Sequence, residues 1–218
     1  MSKITGLKKI KGREKRIEVF LDGKPSLNLL AEVASQKKLK VGQELNENCL
    51  ETLAFMDLFQ RCFNAAVRYL SYRPRSEAEI RRRLQRHGFE DACIEKVIVK
   101  LSEQGLVDDT AFARFWIDNR GTFRPRSRRM TKLELRRKGL NLDVINQAVS
   151  DIDDKESAYR AALSRIRHLL PSDYPAYRRR LGQYLGRRGF NYDVINETVQ
   201  KVWKEHSDKA GEQHRVQR

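Results

Sequence analysis

The chain has 218 residues, 34% of them charged and 39% in the hydrophobic set, with a formal net charge of +16. An excess of that size points to a polyanionic partner, nucleic acid first, with an anionic membrane or an inert basic surface as the alternatives. No apolar run approaches the ~20 residues a transmembrane helix needs, and MSKITGLKKIKGREK at the N-terminus lacks the apolar stretch of a secretory signal.

Residues 1–50 read as an N-terminal extension. Met1 to Lys15 is basic and glycine-punctuated and is expected to fray. Arg16 to Leu21 alternates with Ile17, Val19 and Leu21 on one face, and Asp22-Gly23 is a turn signal. Pro25 lengthens that turn, and Ser26 to Leu30 is the returning strand of a β-hairpin. A lone hairpin is marginal, so it leans on Leu30 to Leu39, read as a short helix ended by the Lys37 to Gly42 stretch. Val41 to Leu45 breaks the pattern before a continuously helical composition begins near Asn48.

From there a unit of roughly 50 residues recurs three times, the self-similarity of stacked supersecondary units. Leu84-x-x-x-Gly88-Phe89 returns as Leu135-x-x-x-Gly139-Leu140 and as Leu185-x-x-x-Gly189-Phe190. Ile94, Ile145 and Ile195 follow six residues past each glycine, and Ile98, Val149 and Val199 ten past. The two residues before each glycine are basic or potentially basic: Arg86-His87, Arg137-Lys138 and Arg187-Arg188.

Repeat one covers 51–106. Its first helix lies near Phe55 to Ser71, with Phe55, Phe59, Phe63, Ala66, Val67 and Leu70 as the apolar stripe. In its second, Ser76 and Glu79 form a capping box, Ile80 and Leu84 share a face, and Gly88 ends the helix. The third runs from about Asp91 to Gln104. Repeat two, 107–152, opens on the acidic helix start Asp108-Asp109 and faces inward with Phe112, Ala113, Trp116 and Ile117. A loop from Arg120 to Arg126 precedes its second helix, which ends at Lys138, and the third spans Asn141 to about Ile152. Repeat three, 153–206, has the stripe Ala158, Ala162, Leu163, Ile166 and Leu169-Leu170. A loop bracketed by Pro171 and Pro175 follows, then helices over Ala176 to Arg188 and Tyr192 to His206. The polar tail 207–218 reads as disordered. The fold expected is all-α, three tandem three-helix repeats in an elongated array behind a small β-hairpin.

Catalytic signatures do not appear. His87, His168, His206 and His214 have no partner at ligand or triad spacing, and there is no Walker loop, dinucleotide fingerprint, HExxH or CxxC. Asp108-Asp109 and the trio Asp151, Asp153 and Asp154 are explained by helix capping, without the further carboxylates a metal-dependent nuclease needs. No cofactor or metal is expected. Cys49, Cys62 and Cys93, odd in number and widely spaced, fit the reducing cytoplasm better than a disulfide framework or a zinc site.

The basic clusters carry the chemistry. Arg73 to His87 holds six arginines against Glu77 and Glu79, Arg120 to Lys138 holds nine Lys or Arg against Glu134, and Arg178 to Arg188 holds five arginines and no carboxylate. Solvated helix faces mix signs in i, i+4 pairs. Faces of one sign favour contact with phosphate or acidic protein over plain solvation. The matched loops Arg73-Pro74-Arg75 and Arg124-Pro125-Arg126 would present guanidinium groups at helix N-termini, where backbone N–H groups also favour anions. Tyr69, Tyr72, Phe123 and Tyr184 could stack on exposed bases, with a core role the alternative, clearest for Tyr69.

At these residues the sequence resembles the RecX family of bacterial recombination regulators. The resemblance rests on Tyr69-Leu70, Arg73-x-Arg75-Ser76-x-x-Glu79-Ile80, Gly88-Phe89, Gly105-Leu106-Val107-Asp108-Asp109, Phe112-Ala113, Trp116, Arg120 and Glu134-Leu135-Arg136-Arg137-Lys138-Gly139-Leu140. It implies three tandem three-helix modules without enzymatic activity. The protein is expected to be a monomer without membrane association, and the DNA single- or double-stranded. The resemblance also implies binding to the RecA–DNA filament, lying in its helical groove. There it would damp RecA's ATP hydrolysis, strand exchange and co-protease function, in DNA repair and the SOS response. The contact residues expected are Arg73, Arg75, Arg81, Arg82 and Arg86 in repeat one, and Arg124, Arg126, Arg128, Arg129, Arg136, Arg137 and Lys138 in repeat two. Repeat three contributes Arg179, Arg187 and Arg188. Three departures stand out: Thr131 where Ile80 and Leu181 are apolar, and Gly182 and Gly186 inside a helix. Each glycine costs about 1 kcal/mol relative to alanine, so a looser third unit is expected.

Two other classes fit the same residues less well. A plain DNA-binding protein, architectural or helix-turn-helix, suits three-helix units, but the candidate helices lack Asn/Gln-rich base-reading faces. A nuclease lacks its carboxylate cluster.

Overall fold

The computed structural model describes residues 1–12, 15–166 and 173–216, with side chains described up to residue 205 except at 166. Among the described residues there are four strands and ten helices. The chain divides into two compact units, one of Met1–Arg75 and Glu79–Val107, the other of Ser76–Ala78 with the chain from Asp108 on.

The N-terminal hairpin is part of a larger sheet. Strands β1 (Ser2–Ile10), β2 (Arg16–Leu21), β3 (Lys24–Leu30) and β4 (Glu44–Leu45) form an antiparallel sheet in the order β3-β2-β1-β4. The segment expected to fray is thus a nine-residue strand. Its alternation is hidden because the register slips between Ile4 and Gly6, which moves Leu7 onto the face that Ile4 occupies. Asp22 and Gly23 both have positive φ, 50° and 81°, the two-residue turn that matches strand twist. Pro25 does not lengthen that turn. It pairs opposite Phe20 on edge strand β3, beside a second register shift where its missing N–H is tolerated.

The short α1 (Ala31–Gln36) and the start of α2 (Glu47–Leu70) close a core of Ile4, Val19, Leu21, Leu29, Leu30, Val33, Leu45 and Leu53. Buried Asp57 of α2 ties helix to sheet: Oδ1 accepts the Leu30 N–H at 2.7 Å, and Oδ2 meets Arg61 at 3.1 Å and Arg16 at 3.4 Å. Farther along, α2 packs with α3 (Glu77–Arg86) and α4 (Asp91–Glu103) around Cys62, Ala66, Ile80, Leu84, Ile94, Val97, Ile98 and Leu101. The stripe expected on this helix holds at Ala66, which is buried, and at Phe59, Phe63 and Leu70, which pack against this core. Its edges differ: Phe55 and Val67 are 41% and 37% exposed and Cys62 is buried, because one 24-residue helix serves two cores lying in different directions.

In the second unit, α5 (Asp109–Phe123), α6 (Arg128–Arg137) and α7 (Leu142–Ala148) enclose Phe112, Ala113, Leu135, Leu140, Ile145 and Val149. Helix α5 runs through Phe123, so Arg120 to Phe123 is helical and the loop is shorter than expected. Helices α8 (Asp154–Ile166), α9 (Tyr174–Arg187) and α10 (Tyr192–Val216) enclose Ala158, Ala161, Ala162, Tyr177, Leu181, Leu185, Val199 and Val202. Leu163, expected in this core, is 38% exposed, and Ala161 takes the inward position. Helix α10 continues past His206 to Val216. The Ile166 side chain, Leu169, Leu170 and Pro171 lie outside the described residues.

One joint occurs twice in this unit. The Ser76 hydroxyl donates to the Lys138 carbonyl at 2.7 Å, and the Ser127 N–H donates to the Arg188 carbonyl at 3.1 Å. The glycine after each carbonyl has positive φ, 88° at Gly139 and 86° at Gly189. A Cβ on Gly139 would lie 2.3 Å from that of Ala78, and one on Gly189 2.7 Å from Ser127 Oγ. These glycines therefore end a helix and also admit a neighbouring helix start. Gly88, with φ 81°, has nothing within 4 Å of such a Cβ and does only the first.

Candidate polyanion interface

The structure sorts the fifteen expected contact residues into cations held by the fold and cations presented outward. In the first unit, Arg73 donates to both Glu79 oxygens at 3.0 Å and to the Pro74 carbonyl at 2.8 Å. The expected capping carboxylate is therefore engaged by an arginine. The Arg75 guanidinium lies 4.0 Å from the Tyr69 ring centre, and its Nε is buried without a hydrogen-bond partner. Arg81 pairs with Glu95 on α4, which lowers the pKa of that carboxyl, chiefly through the hydrogen bond from Arg81. Arg82 and Arg86 are exposed, the latter donating through Nε to the Arg82 carbonyl at 3.2 Å.

In the second unit, buried Glu134 is the centre of a network the sequence does not announce. Its Oε2 accepts from Trp116 Nε1 at 3.0 Å and Arg120 Nε at 3.1 Å, and its Oε1 meets Arg126 at 2.6 Å. Lys138 and Arg120 lie over the Trp116 ring at 4.6 and 4.8 Å. Arg128 donates twice to the Ile152 carbonyl, at 2.6 and 3.1 Å. Arg188 donates to the Pro125 carbonyl at 2.7 Å and covers Tyr184 at 4.6 Å. Arg126, Lys138 and Arg188 are half-buried and structural, while Arg128 is exposed but tied down. Arg124, Arg129, Arg136, Arg137, Arg179 and Arg187 are exposed, as are Arg178 and Arg180 of the same cluster, which are not among the expected contacts.

The paired basic residues before each repeat glycine thus divide their work. The first of each pair, Arg86, Arg137 and Arg187, is exposed in all three repeats. The second turns to an aromatic ring in the last two, Lys138 to Trp116 and Arg188 to Tyr184. Cations over aromatic faces are favourable packing, so Tyr69, Trp116 and Tyr184 have a face already occupied. Tyr72 and Phe123, 77% and 73% exposed, differ: each stands one residue before an Arg-Pro-Arg-Ser loop.

The acidic helix starts also divide. Asp108 caps α5, accepting from Thr110 and Ala111 at 2.7 and 3.1 Å, and Asp153 accepts from the Lys155 N–H at 2.8 Å. Asp109 accepts instead from the Glu77 N–H, and burial outweighs that bond in raising its pKa. Among the described residues there is no group of three His, Cys, Asp or Glu arranged to hold a metal, and no helix long and apolar enough to cross a membrane.

These features define a tandem three-helix repeat protein with arginine-bearing second helices. The three repeats match the family models described as RecX first, second and third three-helix domains, over residues 62–101, 108–149 and 153–199. The chain belongs to the RecX family, whose curated members are named Regulatory protein RecX. One from Clostridium beijerinckii is 27% identical over 82% of this chain and 84% of its own length. Another, from Bacillus pumilus, is 32% identical over 71% of this chain and 59% of its own. A solved structure described as regulatory protein RecX superposes with a TM-score of 0.68 at 25% identity, covering 92% of this chain and all of that one. The family role is regulatory.

Proposed function

We propose that this protein regulates the RecA recombinase by binding its DNA filament, with the outward arginines of the repeats set against DNA phosphates and acidic protein surface, and that it lowers RecA's ATP hydrolysis, strand exchange and co-protease activity. The observation that carries the reading is the threefold recurrence of an exposed arginine two residues before the repeat glycine, at Arg86, Arg137 and Arg187. Family membership supplies the regulatory context. Each arginine contributes a weak, salt-sensitive contact. Linking three on one chain converts the later contacts into intramolecular ones, so affinity grows with effective concentration. Guanidinium groups suit this work because their forked donors match phosphate and carboxylate oxygens alike.

Tyr72 and Phe123 add a means of engaging single-stranded DNA by stacking on unpaired bases. The direct test is filament co-sedimentation of the triple variant R86A/R137A/R187A beside R128A, which removes a tied-down cation. The reading expects the triple variant to lose binding by at least tenfold while R128A stays close to wild type. Equal binding by wild type and the triple variant removes the arginines from the contact surface.

A further inference from the structure

The sheet of the first unit has an open edge. Strand β4 covers only the start of β1, pairing with Ser2 and Lys3, and Ile4 completes the contact through Gly42 and Gln43. From Gly6 to Ile10, the backbone partners of β1 among the described residues all lie on β2. Lys8 and Lys9 are exposed, and Gly6, Leu7 and Ile10 are half-buried. A strand edge of this kind presents unpaired N–H and C=O groups to any extended chain that reaches it.

Charge selects the occupant. Residues 1–12 carry Lys3, Lys8, Lys9, Lys11 and no carboxylate. In the ladders alongside, Lys3 faces Glu44 of β4 and Lys8 faces Glu18 of β2, while Lys9 faces Ile17 and Ile10 faces Arg16. A second copy of β1 laid on this edge would set lysines against lysines, which is destabilising across strands. An acidic segment would find its charges matched.

We propose that the Gly6–Ile10 edge of β1 docks an acidic protein segment, which adds in extended conformation as a fifth strand of the sheet. Main-chain hydrogen bonds supply the affinity of such additions and alternate side chains the specificity. Lys9 and Lys11 supply the charge selection here, and Leu7 offers an apolar contact beside them. The inference does not rest on the filament reading, since it concerns a separate surface and a protein ligand.

The experiment uses the full chain and a blocked heptapeptide alternating glutamate with valine as the probe. Binding is followed by titration, and amide hydrogen exchange is read along β1. Saturable binding with exchange slowed at Gly6–Ile10 is expected. The variant K9E/K11E should bind roughly tenfold more weakly, about 1.4 kcal/mol. These two exposed positions avoid placing a carboxylate opposite Glu18, so far-UV circular dichroism should stay unchanged, and K9Q/K11Q should fall between. A probe with proline at its central position should fail to slow exchange. The proposal is overturned if the probe does not bind, if it binds without protecting Gly6–Ile10, or if K9E/K11E binds as wild type does. It is equally overturned if a short DNA duplex produces the same protection, because lysine contact to phosphate would then account for everything.

Discussion

Asp154 accepts the backbone N–H of Arg128 at 2.6 Å, as Asp109 accepts that of Glu77 at 2.9 Å. Each donor directly follows a buried serine, Ser127 or Ser76. A helix N-terminus carries orphan N–H groups and a partial positive charge, and in this joint a carboxylate from the following repeat answers both. Replacing Asp154 with alanine should destabilise the protein by about 1.5–3 kcal/mol, the range for hydrogen bonds to charged groups. Urea unfolding of D154A beside D153A, which removes only a cap worth ~1 kcal/mol, measures the difference.

The repeat glycines should separate by position. Alanine at Gly88 meets only the cost of positive φ, about 1–2 kcal/mol. At Gly139 the added Cβ also collides with Ala78, a further ~1–3 kcal/mol of overpacking. Thermal unfolding should rank G139A below G88A, and A78G should recover part of the loss in the double variant.

Glycines inside α9 behave in the opposite sense. A Cβ on Gly182 would sit 3.6 Å from Ile195 Cγ2, an ordinary contact in a helix with normal φ. G182A should therefore gain about 1 kcal/mol of helix propensity and raise Tm by roughly 2–4 °C. The position has room for alanine, and a fall in Tm would contradict this.

Cys62 and Cys93 are buried, whereas Cys49 is exposed. Burial, reinforced by neighbouring Cys93, pushes the Cys62 thiol from 9.0 up to about 12. A raised folded pKa makes a contribution that is intact below 9 and lost as pH climbs toward 12, because the unfolded thiol ionises first. Stability should fall between these values, and C62A should flatten that decline. In native protein at neutral pH a thiol reagent should titrate Cys49 rapidly and the other two only on unfolding.

Much of the helical array is legible in the sequence because its signals are local: capping residues, glycine stops and an apolar period. What escaped depends on distance or on broken periods. The register slip after Ile4 disguises β1. Glu134 reads as a lone acid among cations until folding brings Trp116, Arg120 and Arg126 onto it. Of the arginines in one basic run, Arg126 and Arg128 are tied into the fold while Arg129 and Arg137 face water, and no spacing rule distinguishes them. The aspartate pairs were legible as caps, but the joint made by their second members spans more than twenty residues.

The decisive measurement is RecA ATP hydrolysis on single-stranded DNA, with this protein titrated in at physiological salt and DNA in excess. The rate should fall with wild type and change little with R86A/R137A/R187A, both proteins having the same helicity. An unchanged rate with wild type, or equal inhibition by the triple variant, would contradict the proposed function.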